Sequence, residues 1–218
     1  MENRTIYENL SPLDHRYYIS NRKEFSELSR YLSESANIRY CALVEAALLK
    51  THITFFLDND KEKMEAVDKI VEEIDCDEVY REEEKTQHNI RALVNVITKK
   101  VPSELQPYVH LGATSVDILD TSLSLRIRDA VRRVILPLLL EVLDRLITLA
   151  EENAETPQAG RTHGQLAVPI TVGFAFSEYV ARLGKSILEI ERRSQDVRGQ
   201  LSGAVGAYNA TSLMVDDP

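Results

Sequence analysis

The chain has 218 residues, 44% apolar and 28% charged, with a formal charge of −9. It is long enough to bury a sizeable core and too apolar for wholesale disorder. The acidic balance and the lack of a basic run argue against nucleic acid as a partner, so an anionic ligand would have to be held by local arginines.

Two cysteines, Cys41 and Cys76, form no CxxC pair and fit reduced thiols in a cytoplasmic protein. The polar opening "MENRTIYENL" does not resemble a signal peptide. No apolar run approaches the roughly 18 residues of a membrane span. Eight glycines, no Asn-Gly or Asp-Gly turn and little strict alternation argue against a β fold and for an all-α one.

In chain order, residues 1–20 read as irregular. The pattern from 23 to 57 is helical, as two helices meeting near Ser33–Ser35, and "KEKMEAVDKIVEEI" (61–74) is a short amphipathic helix. Residues 77–100 read as one further helix ending before Pro102, and 101–115 as loop. Thr114-Ser-Val-Asp117 has capping-box spacing, with Asp117 reaching back to the Thr114 amide. A long helical stretch follows to about Glu152, interrupted or bent at Pro137. It carries two apolar stripes, Leu136, Leu140, Leu143, Ile147 and Leu139, Val142, Leu146, Leu149, so it is expected to pack on two sides. From 171 to 201 a heptad seam runs through Phe176, Val180, Leu183, Ile187, Ile190, Ser194, Val197 and Leu201, predicting a helix of about 45 Å. Left exposed, the apolar members of that seam would drive self-association. The domain boundary falls near residue 110, between the shorter helices of 1–110 and the long helices of 111–218.

The chain holds no GxGxxG or P-loop, no HExxH and no GxSxG. Candidate chemistry sits instead in polar clusters. "HLGATSVDILDT" (110–121) offers His110, a glycine for close approach, the Thr114 and Ser115 hydroxyls and a helix N-terminus, suited to a carboxylate or phosphate; the alternative is an ordinary capped helix start. "AGRTHGQLAVP" (159–169) crowds Arg161, Thr162, His163 and Gln165 between or beside two glycines. Arg161 could clamp a carboxylate, Thr162 and Gln165 orient a ligand, and His163 trade a proton near neutral pH; the alternative is a polar turn whose side chains satisfy loose backbone ends. In "EEEKTQHNIRALV" (82–94), His88 lies in a helical pattern three residues from Lys85 and Arg91, and a solvated charged face is the better reading on its own. "SPLDHRYY" (11–18) has a turn signal in Pro12 and Asp14, with Arg16 and Tyr17 able to grip a phosphate. "GAVGAYN" (203–209) reads as a glycine-bracketed helix end. If 116–152 and 171–201 are antiparallel neighbours, the 110–121 and 159–169 clusters lie about 50 Å apart in one chain. Either there are two sites, or one site is assembled from several subunits.

Together "SPLDHRY", "TQHN", "HLGATSVDILDT", "GRTHGQLAVPITVG" and "LSGAVGAYNA", spread over about 10–210, resemble the N-terminal half of the adenylosuccinate lyases of the fumarase/aspartase superfamily. The resemblance implies a small helical domain, a long-helix bundle and a homotetramer whose active sites draw on three subunits. It implies β-elimination of fumarate from adenylosuccinate and from the related imidazole-carboxamide ribotide SAICAR, without metal or organic cofactor. It assigns His163 as general acid with Thr162 and Gln165 as substrate ligands. His88 would contact the substrate phosphate and support catalysis, with Asn89 beside it. Thr114 and Ser115 would bind the succinyl carboxylate with His110 close by, and Arg16 and Tyr17 would hold the nucleotide phosphate. The family usually carries His-Asp where this chain has His88-Asn89, and commonly a glycine at the position of His15.

The family's SSxMPxKxNP loop, which supplies the serine base, has no counterpart in these 218 residues. The chain is therefore expected to be an N-terminal fragment, inactive alone. A carboxymuconate-cycloisomerase-like member of the superfamily and a non-catalytic helical interaction module are the alternatives.

Overall fold

The computed structural model describes residues 6–11 and 14–214. They divide into two compact units, one formed by the chain up to Ile127 together with the part from Val197, the other by Arg128–Asp196.

The first unit is built on α3 (Glu34–Phe56). Its Ala36, Cys41, Ala42, Leu49 and Ile53 are buried among α2 (Arg22–Leu32), α4 (Lys61–Glu72) and α6 (Asn89–Lys100). Full burial of an aliphatic side chain such as Leu49, Leu93 or Ile53 contributes about 1.5–3 kcal/mol, so this cluster fixes the unit. Side-chain caps set where the helices begin. Ser33 accepts from the Ala36 amide at 3.2 Å, as the meeting point at 33–35 requires, and Asp60 and Asp75 cap α4 and α5 (Cys76–Thr86).

Two expectations about the helices before residue 101 fail in this unit. A short helix, α1 (Asp14–Ser20), occupies part of the stretch read as irregular; Pro12 of the expected turn lies outside the described residues. Residues 77–100 are two helices, because the chain breaks at Gln87, whose φ of 51° is left-handed. Thr86 Oγ1 donates to the His88 carbonyl and His88 Nδ1 accepts from the Arg91 amide at 3.2 Å. Side chains that serve backbone groups locally compete with the helix, while the apolar period continues undisturbed across the break.

Within α7 (Ser115–Ala130), Arg126 reaches the end of α2 and the start of α3. It donates to the carbonyls of Tyr31, Leu32 and Ser33 and to Asn37 Oδ1 at 2.8–3.2 Å. One guanidinium therefore serves three of the loose carbonyls at a helix end.

The second unit is a helical pair joined by a β-hairpin. A π-turn at Val131–Ile135 precedes α8 (Leu136–Glu152), so the expected disturbance at Pro137 takes the form of a wider turn just ahead of it, with the Leu136 amide bonding five residues back to Val131. Proline cannot donate and its ring crowds the preceding turn, which the π-turn relieves. Strands β1 (Pro157–Thr162) and β2 (Gln165–Thr171) follow, a small hairpin in a chain read as all-α. Then comes α9 (Val172–Gln195), capped by Thr171.

The packed face of α8 takes alternate members of both stripes, Leu136, Leu139, Leu143 and Leu146, and continues to Ala150, at steps of three and four. Leu140, Val142, Ile147 and Leu149 stay exposed. On α9 the seam from Phe176 to Ser194 is buried or half-buried, with Ile187 and Ser194 the most enclosed, because it packs along α8. It is thus not a free association surface. Val197 and Leu201 lie beyond the end of α9, and "GAVGAYN" is irregular chain, not a helix end.

Arg126→Lys is expected to destabilise the protein by about 2 kcal/mol in urea denaturation, since one ammonium cannot replace a fork of four donated bonds. An unchanged midpoint would show that the α2–α3 junction does not depend on it.

Candidate active site

An open cleft of roughly 430 Å³ in the first unit is lined by Thr86, His88, Ile90 and Arg91 from the α5–α6 break and by His110, Ala113, Thr114 and Ser115 ahead of α7. The break at Gln87 creates one wall. Capping α6 with Nδ1 leaves Nε2 of His88 unbonded among the described residues, and Arg91 follows one turn later. The opposite wall is a strained turn, with His110 at φ 61° and Gly112 at φ 79°. Three contacts hold that turn. His52 Nε2 lies 3.0 Å from the Leu111 carbonyl, His110 Nδ1 lies 2.6 Å from Glu45 Oε1, and Asp117 Oδ2 accepts from the Thr114 amide at 3.0 Å.

Asp117 is fully buried, and it also accepts from the Ser202 and Gly203 amides and from Gln200 Nε2. Burial by itself would raise its pKa; the donors from Thr114, Ser202, Gln200 and Gly203 outweigh burial and hold the carboxyl below the usual Asp value. Asp117 thus reaches back to the Thr114 amide as the spacing predicts, the Asp117 amide donating to the Thr114 backbone carbonyl, and it also fastens residues 200–203.

Among the described residues no carboxylate lines the cleft, although the chain as a whole is acidic. A guanidinium, two imidazoles, three hydroxyls and the N-terminal amides of α7 surround the space, an arrangement suited to an anion.

The second cluster forms the tip of the hairpin. Thr162 pairs with Gln165, leaving His163 and Gly164 as a two-residue turn with φ of 53° and 72°. Two positive φ values match a type I′ turn, whose twist suits a hairpin. At Gly160, an added Cβ would come within 2.4 Å of the Val168 carbonyl, so only glycine lets the strands approach. Arg161, Thr162, His163 and Gln165 are exposed, and their side chains make no hydrogen bonds among the described residues. They do not serve the backbone ends of the turn.

A family model described as lyase matches residues 15–216. The chain belongs to this lyase family. Its helices are those of the fumarase/aspartase fold. Adenylosuccinate lyase from Archaeoglobus fulgidus is 33% identical over 201 residues, covering 91% of this chain and 43% of that protein. Among solved structures, a fumarate lyase from Mesorhizobium sp. BNC1 is 26% identical with a TM-score of 0.74, covering 84% of this chain and 44% of its own. The 3-carboxy-cis,cis-muconate lactonizing enzyme from Pseudomonas putida is 27% identical with a TM-score of 0.71, covering 93% and 45%. The chain spans a little under half the length of the relatives it matches.

Within this lyase chain the first unit brings His88, His110, Thr114 and Ser115 to one cleft, although in sequence they stand in separate clusters, and adds Arg91 and Thr86. His88 is not inside a helix but caps one, and Lys85 pairs with Glu82 instead of joining it. Asn89 lines a separate, smaller cavity with Glu34, Asn37 and Cys41, and its Oδ1 accepts from the Ile90 amide. Arg16 and Tyr17 are exposed on α1 and do not line the cleft. Glu45 was missed, though a lone acid in the apolar run "CALVEAALL" is a readable signal. Among the described residues, no three His, Cys, Asp or Glu side chains are grouped so as to hold a metal ion, and no helix is long and apolar enough to cross a membrane.

Asp117→Asn is expected to cost about 2–3 kcal/mol, because an amide must turn a donor toward one of the N–H groups. Amide exchange should accelerate at Ser202 and Gly203. The carboxylate's contribution should be complete above the ordinary Asp pKa of about 3.9 and be lost as pH falls through its lower folded-state value. A gap between wild-type and variant stabilities that widens as pH falls below about 3.9 would contradict that assignment.

Proposed function

We propose that the protein to which this chain belongs cleaves adenylosuccinate to AMP and fumarate, and SAICAR to AICAR and fumarate, by β-elimination. The observation that carries the reading is the cleft that gathers His88, Arg91, His110, Thr114 and Ser115 with no carboxylate among its lining residues. A substrate with one phosphate and two carboxylates needs such donors, and the adenylosuccinate lyase relatives support the same choice.

In this reaction a base removes a proton from the carbon next to one succinyl carboxylate. The charge that develops on that carboxylate is met by donors, for which Thr114 and Ser115 are proposed. The electron pair then forms the double bond of fumarate as the carbon–nitrogen bond breaks. His163, as imidazolium, protonates the departing nitrogen, with Thr162 and Gln165 orienting the substrate. His88 engages the phosphate and supports catalysis, Arg16 and Tyr17 contact the nucleotide, and Asn89 acts as a neutral neighbour of His88. No metal or organic cofactor enters the scheme.

The proposed assembly is a cytoplasmic homotetramer in which several subunits complete each site, with 1–110 as the N-terminal domain and 111–218 as the first part of the bundle. The exposed Leu140, Val142, Ile147 and Leu149 of α8 support a need for further helices. The 218 residues hold the proposed acid and no SSxMPxKxNP loop, so alone they should not catalyse.

The test is fumarate release from adenylosuccinate by the complete protein. His163→Ala should lower kcat by about 10²-fold or more, the usual scale for loss of a general acid, with the protein still folded. Full activity in that variant would remove His163 from the role. A folded protein that releases no fumarate but lactonises 3-carboxy-cis,cis-muconate would favour the second reading, which the Pseudomonas putida structure supports.

A further inference from the structure

We propose that Glu45 is a positioning residue for His110, holding Nδ1 so that a single ring orientation offers Nε2 to an oxyanion in the cleft. The inference rests on the proposed function, because the oxyanion is taken to be a carboxylate or phosphate of that substrate.

Glu45 lies in the apolar middle of α3 with its side chain 1% exposed, and Oε1 is 2.6 Å from His110 Nδ1. Its Oε2 is buried without a hydrogen-bond partner among the described residues. A carboxylate taken out of water costs several kcal/mol unless it is paired, and here one imidazole nitrogen is the whole of its pairing. A purely structural tether for the turn would not need an ionisable pair. His52 on the Leu111 carbonyl and Asp117 on the Thr114 amide already hold the chain on either side.

His110 lines the cleft, and with Nδ1 committed to Glu45 its only other ring nitrogen is Nε2, which has no partner among the described residues. One proton lies in the Nδ1–Oε1 contact. When a second sits on Nε2 the pair is neutral overall and donates to the cleft; without it Nε2 is an acceptor and repels an anion. Other ionisable groups bear on this balance. Arg91 and His88 share the cleft, Cys41 lies one turn before Glu45, His52 is engaged by Leu111, and Asp117 is engaged by backbone amides. A bound oxyanion is therefore met by Nε2, and Glu45 keeps that nitrogen aimed into the cleft by holding Nδ1.

The experiment uses the 218-residue chain with ¹⁵N-labelled histidine and reads the His110 ring nitrogens, with inorganic phosphate and fumarate as separate probes. Wild type should show one ring state with Nδ1 hydrogen-bonded, and an Nε2–H signal that strengthens with one or both probes. Glu45→Leu should give signals averaged over tautomers and bind the responding probe about tenfold more weakly or worse, the scale of a lost charge-assisted bond. Glu45→Gln keeps a hydrogen-bond partner and should restore a single ring state. Tautomer averaging in the wild type, or an Nε2 that ignores both probes, would overturn the proposal without any variant having to fold. The same holds if Glu45→Leu leaves ring state and binding unchanged. None of these readouts needs turnover, so a complete protein that releases no fumarate would sink the reaction and leave the Glu45 assignment standing.

Discussion

Two distant stretches of chain are tied at the Asp117 carboxylate. It is closed off from water, yet it accepts from Thr114 just ahead of it and from Gln200, Ser202 and Gly203, which are more than eighty residues away in sequence. A charge in that position is stable only because its acceptor capacity is nearly filled. The consequence reaches the cleft directly. With the Thr114 amide fixed, the start of α7 cannot fray, and Thr114 and Ser115 keep their place among the lining residues. Thr121 reinforces the tie, exchanging hydrogen bonds of 2.9 Å with the backbone of Gln200.

Two of the three histidines in the proposed site sit where the backbone is left-handed, His110 at φ 61° and His163 at φ 53°. A side chain other than glycine or asparagine in that region costs on the order of 1–2 kcal/mol. At His163 the cost is sharper in meaning, because the first position of a two-residue hairpin turn is where Asn, Asp or Gly serves best. A histidine there is a poor choice for turning the chain and a good one for presenting an imidazole at an exposed tip. The same reasoning explains why Thr162 and Gln165, paired across the turn, point polar groups to solvent when either could have been used internally.

What could be read in the sequence follows the range of each signal. Caps are local, and so Ser33 as a helix junction and Asp117 as a capping residue are both legible from a few neighbours. The break at Gln87 is not, because Val79, Ile90 and Leu93 continue an apolar period straight across it, while the competing bonds of Thr86 and His88 leave no mark on periodicity. The hairpin escapes for a chemical reason: His-Gly can occupy a turn usually signalled by Asn-Gly. On α8 the two stripes were visible, but the packed face runs between them, and only the partner helix decides which alternate residues are enclosed. Val197 and Leu201 keep heptad phase beyond the end of α9, so the pattern overran the helix that carried it. Of the cleft, the hydroxyls and histidines stand in recognisable motifs, whereas Arg91 and Glu45 depend on how α6 and α3 are placed in space.

The two clusters differ in how complete they are. In the cleft, His110 is braced from behind by Glu45, His88 is oriented by its capping bond, and Arg91 supplies charge, so the groups are held before any ligand arrives. The hairpin tip has no such bracing, since its side chains are exposed and unbonded among the described residues. A general acid needs a fixed direction of proton delivery, and an exposed imidazole on a two-residue turn does not have one by itself. Under the proposed function the missing bracing has to come from what covers the tip, which is the same demand that the exposed leucines of α8 make for apolar partners. Polar groups without acceptors and apolar groups without cover occur together in the second unit. The simplest way to satisfy both is the neighbouring subunits of the proposed tetramer, which would order His163 only once the assembly has formed.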